Sequence, residues 1–407
     1  MEKEKENTLL VNKHILLCTV TDKNSELEYI KQNFCGLVFN DIESFNKHLV
    51  DTNTLIYLCG NIDTLNIKSN NVLVIKEFST NYSNDSETYK VISYGQVPIN
   101  VNNVGVYFRN FFDSGKDYFN LINLEHKFQA LTESNKPGTA FRSGIYLTKV
   151  QEDANNEEIK FKLLRCSSNL SGPTDNFRAT DTEVVDQVNE ISKYFFKGKT
   201  ELNHVLAQIY ENKSVTTDNK TKEKKAKIKK HSDKTKDMPR NGLMAFCTFY
   251  KTDELNNISK SKTDAFDYCY HDTSVLTTLR FELKKMVTNE KLKKKFDVVL
   301  YPNSVFIMSL DMNRLYTHAI APSSLPVDKL PTRLGYIVRC SKTDAVFKDG
   351  QTYIVDDGKY VKLEEQTDKG VKELKDLYFK ENATDEMIHY GKFHFSLNSG
   401  DYLRPLV

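Results

Sequence analysis

At 407 residues the chain is too long for one compact core of ordinary size, so two domains, or one large domain with additions, are expected. Its 57 Lys and Arg nearly balance 55 Asp and Glu, which excludes nucleic-acid affinity built on global charge and leaves only local patches. The opening "MEKEKENTLLVNK" has acids and no apolar core of signal-peptide length, and nowhere do about eighteen apolar residues run together. An intracellular protein, cytoplasmic or nuclear and neither secreted nor embedded in a membrane, is therefore expected.

Residues 12 to about 90 alternate apolar runs with amphipathic stretches. "HILLCTV", "CGLVFN", "TLIYLCG" and "NVLVIKEF" read as buried strands, while "NSELEYIKQNF" and "IESFNKHLV" read as helices with Ser or Asn near their starts. That order predicts a small parallel α/β domain over residues 1–90. It has no G-x-G-x-x-G or phosphate loop, so a docking or scaffolding role with a protein partner is expected rather than a nucleotide site.

The polar stretch "STNYSNDSETYK", residues 79–90, predicts a linker. Beyond it the pattern becomes many short strands: "VGVYFRNFF", "GIYLTKV", "IKFKLLRCSS", "LNHVLAQIY", "GLMAFCTFY", "VLTTLRFELKK", "FDVVLYP", "SVFIMSL" and "RLGYIVRCS". Two helical stretches interrupt them, "DYFNLINLEHKFQAL" and "DTEVVDQVNEISKYFF". This describes an α+β domain over 91–407 built on an antiparallel sandwich or barrel. Its core falls at about 200–341, with a C-terminal extension at 342–407. The extension predicts a hairpin turning at Asp-Gly in "QTYIVDDGKYVKL", a helix over roughly 367–380 and a last strand at 392–397. The seven cysteines (Cys18, Cys35, Cys59, Cys166, Cys247, Cys269, Cys340) have no C-x-x-C spacing and sit mostly in apolar runs, which predicts buried free thiols.

Within "KIKKHSDKTKDMP" stands His231-Ser232-Asp233. At a strand end, residues i and i+2 share a face, so an imidazole and a carboxylate can meet at one ion. Two histidines and one carboxylate suit Fe(II) and leave positions open for a chelating cosubstrate and dioxygen. Candidates for the other histidine are His318, His271, His389 and His394. His318 leads because it follows a strand and a turn, and His271 in "YCYHDTSVL" is its main rival. Past His318, Arg333 and Arg339 stand six apart on a predicted strand, which puts both on one face, where they could hold a dicarboxylate. The competing reading gives these arginines to surface ion pairs.

The order "LNHVLAQIYENK", "IKKHSDKTKDMP", "GLMAFCTFY", "SVFIMSLDMNRLYTHAI", "RLGYIVR" resembles the AlkB-type Fe(II)/2-oxoglutarate-dependent dioxygenases over roughly residues 200–341. The resemblance implies a double-stranded β-helix (jelly-roll) and the cofactors Fe(II), 2-oxoglutarate and O2. It implies His231, Asp233 and His318 as metal ligands and catalytic centre. Arg333 would then take the distal carboxylate of 2-oxoglutarate, Arg339 would sit by its metal-bound end, and Tyr210 would bond the cosubstrate. Gln208 stands where the family has asparagine, and the segments from 210 to 231 and from 233 to 318 are longer than usual. The implied activity is hydroxylation or demethylation. A nucleic-acid base is the leading substrate, a protein side chain the alternative, and a non-catalytic binding module that retains the fold a third reading.

From 220 to 236 the chain has nine lysines against two acids, Lys229 and Lys230 directly preceding His231, which could attract a phosphate backbone. The bland alternative is a solvated loop. The segment 166–181 lies where the family places substrate-gripping lids, which makes Asn176, Phe177 and Arg178 candidate substrate contacts.

Overall fold

The structure, a computed structural model, describes residues 13–21, 24–48, 54–65, 71–132, 139–153, 157–166, 170–197, 200–217 and 220–407. Residues 1–12 and residues 167–169 of the candidate lid lie outside them. The chain is a mixed α+β protein, with seven α-helices among the described residues. None of these helices is long and apolar enough to cross a membrane.

The N-terminal strands form one parallel sheet in the order Leu37–Phe39, His14–Cys18, Leu55–Cys59, Val72–Ile75, Lys90–Ile92. His14–Cys18 and Leu55–Cys59 are buried along their whole length, as uninterrupted apolar runs in a parallel sheet require. Helix Ser25–Asn33 starts where the Asn24 side chain accepts from the Glu26 and Leu27 amides, and helix Ile42–Asn46 where Asp41 accepts from Ser44. This sheet is fastened to the rest of the chain by specific polar contacts. His14 Nε2 bonds the Tyr194 carbonyl at 2.9 Å, and Arg109 pairs with Glu26 while stacking on Tyr29 and Phe266.

The largest sheet has nine strands. Its central run is Thr139–Thr148, His204–Tyr210, Arg333–Arg339, Leu243–Tyr250, Ser304–Ser309 and Gly105–Phe108, all antiparallel neighbours. Alternation splits it into two faces. Val205, Ala207, Ile209, Leu334, Tyr336, Val338, Ala245, Cys247 and Phe249 point to a core closed by helices Tyr118–Glu125 and Ala179–Phe195. The other face carries Met244, Phe246, Phe306 and Met308, and meets a four-stranded sheet ordered Ile228–His231, Tyr316–Ile320, Thr278–Leu283, Lys295–Val299. That smaller sheet points Tyr316, Ile320, Leu279, Phe281, Phe296 and Val298 inward. Phe281 and Phe306, 5.4 Å between ring centroids, join the two layers.

The expected strands of the antiparallel part form, with some differences in detail. The predicted helix "DYFNLINLEHKFQAL" stops at Glu125, and its last residues pair as strand Gln129–Thr132 with Thr139–Thr148. His318 follows a short helix, Leu310–Leu315, rather than a turn. Part of the lysine-rich segment is not an open loop: Lys213–Thr217 and Lys220–Lys224 pair as a hairpin, with the Thr216 and Thr221 hydroxyls bonded across it. The C-terminal hairpin, Gln351–Asp356 with Lys359–Lys362, turns through Asp357 and Gly358, both at positive φ. The helix near 367–380 runs Asp368–Ala383, but no strand forms at 392–397. Side chains take its backbone groups instead: Arg165 donates to the Phe393 and Phe395 carbonyls, and Gln366 to that of Ser396. All seven cysteines are free, and five of them are buried.

On the helix-covered side His126 lies wholly buried between two acids, Nδ1 at 2.8 Å from Asp175 and Nε2 at 2.7 Å from Asp181. Tyr336 donates to the other oxygen of Asp181. Both ring nitrogens are engaged by carboxylates, so the neighbouring Glu125–His126–Asp181 group has no free imidazole nitrogen for a metal. Burial opposes the charge on His126, but bonds to the two carboxylates override it and raise its pKa to about 9. A histidine shifted upward stabilises the fold fully below its unfolded value of about 6.5, and that contribution is lost as pH rises through 9. The urea midpoint of the wild type should therefore fall between pH 6.5 and 9.5 by an amount equivalent to about 1–3 kcal/mol. His126→Gln should be less stable at pH 6.5 and lack this component of the slope.

Candidate metal centre

His231 and His318 face each other because their strands pair in register, His231 opposite His318 in an antiparallel ladder. Directly opposed residues share a face, so their rings come to 4.5 Å between centroids. Asp233 lies just past the strand end. Its Oδ1 is 3.4 Å from His231 Nε2 and 3.6 Å from His318 Nε2. The three ligand atoms thus lie within 4.8 Å of one another, a spacing that can hold a metal ion.

Several contacts fix this convergence. His231 Nδ1 lies 2.9 Å from the Lys229 carbonyl, an acceptor that fixes the ring with Nε2 turned toward Asp233. Asn313 clamps the Asp233 backbone: its Oδ1 accepts from the Asp233 amide at 2.9 Å and its Nδ2 donates to the Asp233 carbonyl at 3.0 Å. Asn313 belongs to the helix that leads into the His318 strand, so the segments carrying both ligands are tied together. The His318 ring packs edge-on to Phe246 at 5.4 Å and near Phe281 at 6.0 Å.

Arg339 reaches Asp233 from the facing sheet, Nε at 2.7 Å and Nη2 at 2.5 Å from Oδ2, which leaves Oδ1 turned to the imidazoles. Burial works against the Asp233 charge, yet the Arg339 guanidinium holds its carboxyl well below the usual carboxylate range. Burial, reinforced by His231, lowers the His318 pKa to about 3. The group therefore stands near neutral pH as an ionised carboxylate beside a neutral buried imidazole, the state that metal ligation requires.

Register places the remaining candidates. Arg142, Tyr210, Arg333 and Tyr250 form one row across four strands of the large sheet, and Gly144, Gln208, Gly335 and Thr248 form the next. Thr148, His204, Arg339 and Met244 make the row at the far end. Arg333 and Arg339 thus share the inner face. Arg333 is 4% exposed, has no carboxylate partner among the described residues, and lies with its guanidinium carbon 4.4 Å from the Tyr210 ring centroid. Its Nε has no acceptor among the described residues. A Cβ on Gly335 would stand 2.9 Å from Arg333 Nη1 and 3.1 Å from Tyr210 Cε2, so glycine there makes the room this guanidinium occupies. The Tyr210 hydroxyl donates to Gln208 Oε1 at 2.6 Å.

The other candidates lie elsewhere. His271 sits exposed in a turn at φ 46°, and His389 and His394 belong to the C-terminal segment; none of the three joins the group. Asn176 Oδ1 accepts from the Val150 amide, Phe177 packs on the helix-side core and Arg178 pairs with Asp175, so the contacts of these three are not with the His–Asp–His group. Lys229 is exposed, and Lys230 pairs with Glu282 at 2.6 Å. Sequence reasoning missed Asn313, Glu381, Asn382 and Gly335. No spacing rule marks an asparagine or glycine whose role is to hold a neighbour.

No protein family matches the chain by sequence, and no curated protein does. Among solved structures it is similar to one titled "The structure of OsALKBH1", at 13% identity and a TM-score of 0.31, over 58% of this chain and 96% of that one. A likeness at that level assigns neither activity nor substrate.

Truncating Arg339 to alanine would leave the Asp233 carboxylate buried and without its guanidinium. That change should lower unfolding stability by about 3–5 kcal/mol, read from urea titration at pH 7. A loss below about 1 kcal/mol would mean that the ion pair is not the closure between the sheets.

Proposed function

We propose that the chain is an Fe(II)- and 2-oxoglutarate-dependent dioxygenase, its two facing sheets forming a double-stranded β-helix, that demethylates or hydroxylates a nucleic-acid base. The observation that carries this reading is the His231–Asp233–His318 group on the same inner space as Arg333, a buried guanidinium without a carboxylate partner among the described residues. A buried cation is unfavourable unless an anion joins it, and a dicarboxylate that reaches from the metal would supply one.

The residues fit the groups they would hold. Two imidazole nitrogens and one carboxylate oxygen suit Fe(II) with positions left open, and the ionised Asp233 and neutral His318 described above are in the states that ligation requires. When bound, Fe(II) with 2-oxoglutarate and O2 supplies the oxidising power that turns a C–H bond into C–OH, with succinate and CO2 released. His231 and His318 would offer Nε2 and Asp233 its Oδ1, while Arg339 keeps Oδ2 and stops the carboxylate from turning. Arg333, seated in the room that Gly335 leaves, would receive the distal carboxylate, with Tyr210 and Gln208 nearby. Phe246 and Phe281 keep water from the His318 side.

A polyanionic substrate is supported by the run of exposed lysines 222, 224, 227, 229 and 230 that leads into His231. In the hairpin, Lys213 stands directly opposite Lys224, with Lys213 itself paired with Glu211 at 2.6 Å. The N-terminal parallel sheet is proposed as a docking surface for a protein partner.

Succinate release from 2-oxoglutarate with Fe(II) and ascorbate in air tests the reading. Activity should fall at least about a hundredfold in His318→Ala and in Arg333→Ala, and persist in His271→Ala. Absence of succinate with both methylated oligonucleotides and peptides would favour a binding module that keeps the fold. Gly335→Ala should weaken 2-oxoglutarate binding about tenfold by displacing Arg333, measured by calorimetry with Mn(II) in place of iron. Affinity for a single-stranded oligonucleotide should drop between 50 and 200 mM salt. Binding that ignores salt would point instead to a protein side chain as substrate.

A further inference from the structure

The segment that carries two of the three ligands is held in shape largely by residues far along the chain. The Ser232 amide donates to Asn382 Oδ1 at 2.7 Å. Glu381 Oε1 accepts from the Thr235 amide at 3.2 Å and from its hydroxyl at 2.5 Å. Lys234 Nζ bonds the Tyr378 carbonyl at 3.2 Å and lies 5.3 Å from the Tyr378 ring centroid. All of these partners belong to the last turns of helix Asp368–Ala383.

The same turns are pinned from the other side. Lys284 Nζ donates to the Glu381 and Thr384 carbonyls at 2.6 and 3.1 Å, satisfying groups at a helix C-terminus where a cation is also favourable. Arg314, on the helix leading to His318, donates to the Asp385 carbonyl at 2.5 Å. Further on, Arg165 grips Asp237 through two side-chain bonds, and its own carbonyl accepts from the Tyr378 hydroxyl at 3.0 Å.

The helix packs its apolar residues Val371, Leu374, Leu377 and Tyr378 with Tyr390 and Phe395 of the segment that follows it, while its contacts to residues 231–237 are polar. Its buried residues are Leu374 and Glu381, and Phe379 is 75% exposed. Burying a carboxylate is unfavourable unless its oxygens are engaged, and both Glu381 oxygens are: one by Thr235, the other by the Tyr390 hydroxyl. A polar attachment of this kind fixes position more than it adds adhesion.

We propose that the end of this C-terminal helix is a clasp for the ligand-bearing segment 231–237, with Glu381 and Asn382 as positioning residues that hold Ser232 and Thr235 so that His231 and Asp233 converge on the metal. The clasp rests on the reading of His231, Asp233 and His318 as metal ligands. Neither positioning residue touches the ion. Each acts through a backbone amide on either side of Asp233, as outer contacts of metal sites do.

The test titrates full-length protein with Co(II), an oxygen-stable stand-in for Fe(II), and follows its visible absorption. Asn382→Ala and Glu381→Ala should each weaken Co(II) binding about tenfold or more and alter the absorption band. Asn382→Asp and Glu381→Gln keep an acceptor oxygen and should recover most of the affinity. Val188→Ala, a destabilising change in the distant helix-side core, should leave Co(II) affinity intact. If the alanine variants do not fold, Thr235→Val removes one donor from the loop side and should weaken binding about threefold. Wild-type affinity and spectrum in these variants would overturn the clasp alone, as would an equal loss in Val188→Ala. Failure of the wild type to bind Co(II), or binding that survives His318→Ala, would overturn the ligand reading and the clasp with it.

Discussion

The ion pair between Arg339 and Asp233 is the contact on which the inner space depends. Arg339 comes from the nine-stranded sheet and Asp233 from the segment leaving the four-stranded one, so the pair spans the interface between the layers. Both side chains are nearly excluded from water, where neither charge is tolerable without the other. The guanidinium takes one carboxylate oxygen and thereby sets the direction of the second. That second oxygen faces two imidazoles brought together by strand register. A metal-competent group arises here from three ordinary features: a ladder, a strand end and a cross-sheet ion pair.

The inner space has an uneven charge distribution. At one end Arg339 is neutralised by Asp233; six residues along the same strand Arg333 has no carboxylate beside it among the described residues. Gly335 lies between them on the inner face, and the missing side chain lets the Arg333 guanidinium fold back over the Tyr210 ring. On the opposite face of the sheet the charge problem is solved internally, with His126 held between Asp175 and Asp181. One face therefore balances its buried charges internally, while the other keeps a buried guanidinium with no carboxylate beside it among the described residues.

Much of this was legible in the sequence because periodicity and short spacings are local signals. The even separation of Arg333 and Arg339 gave their shared face correctly, and the apolar runs marked the six central strands of the large sheet but only Thr278–Leu283 and Lys295–Val299 of the smaller one. The choice of His318 over His271 rested on order along the chain, and the structure puts His318 opposite His231 while leaving His271 in an exposed turn. What escaped was non-local. Asn382 meets Ser232 across 150 positions and Asn313 meets Asp233 across 80, and a lone asparagine has no periodicity to betray it. The expected strand at 392–397 failed for a related reason. Its alternating Phe393 and Phe395 look like a half-buried strand, but Arg165 supplies the hydrogen bonds that a neighbouring strand would have given.

Everything about the centre reduces to whether one ion sits among three named atoms with a dicarboxylate reaching away from it. Anomalous diffraction from crystals grown with Mn(II) and 2-oxoglutarate measures this directly. One peak within bonding distance of His231 Nε2, Asp233 Oδ1 and His318 Nε2, with ligand density extending to Arg333, is the result expected. Metal bound elsewhere, or density that leaves Arg333 without an anion, would contradict it.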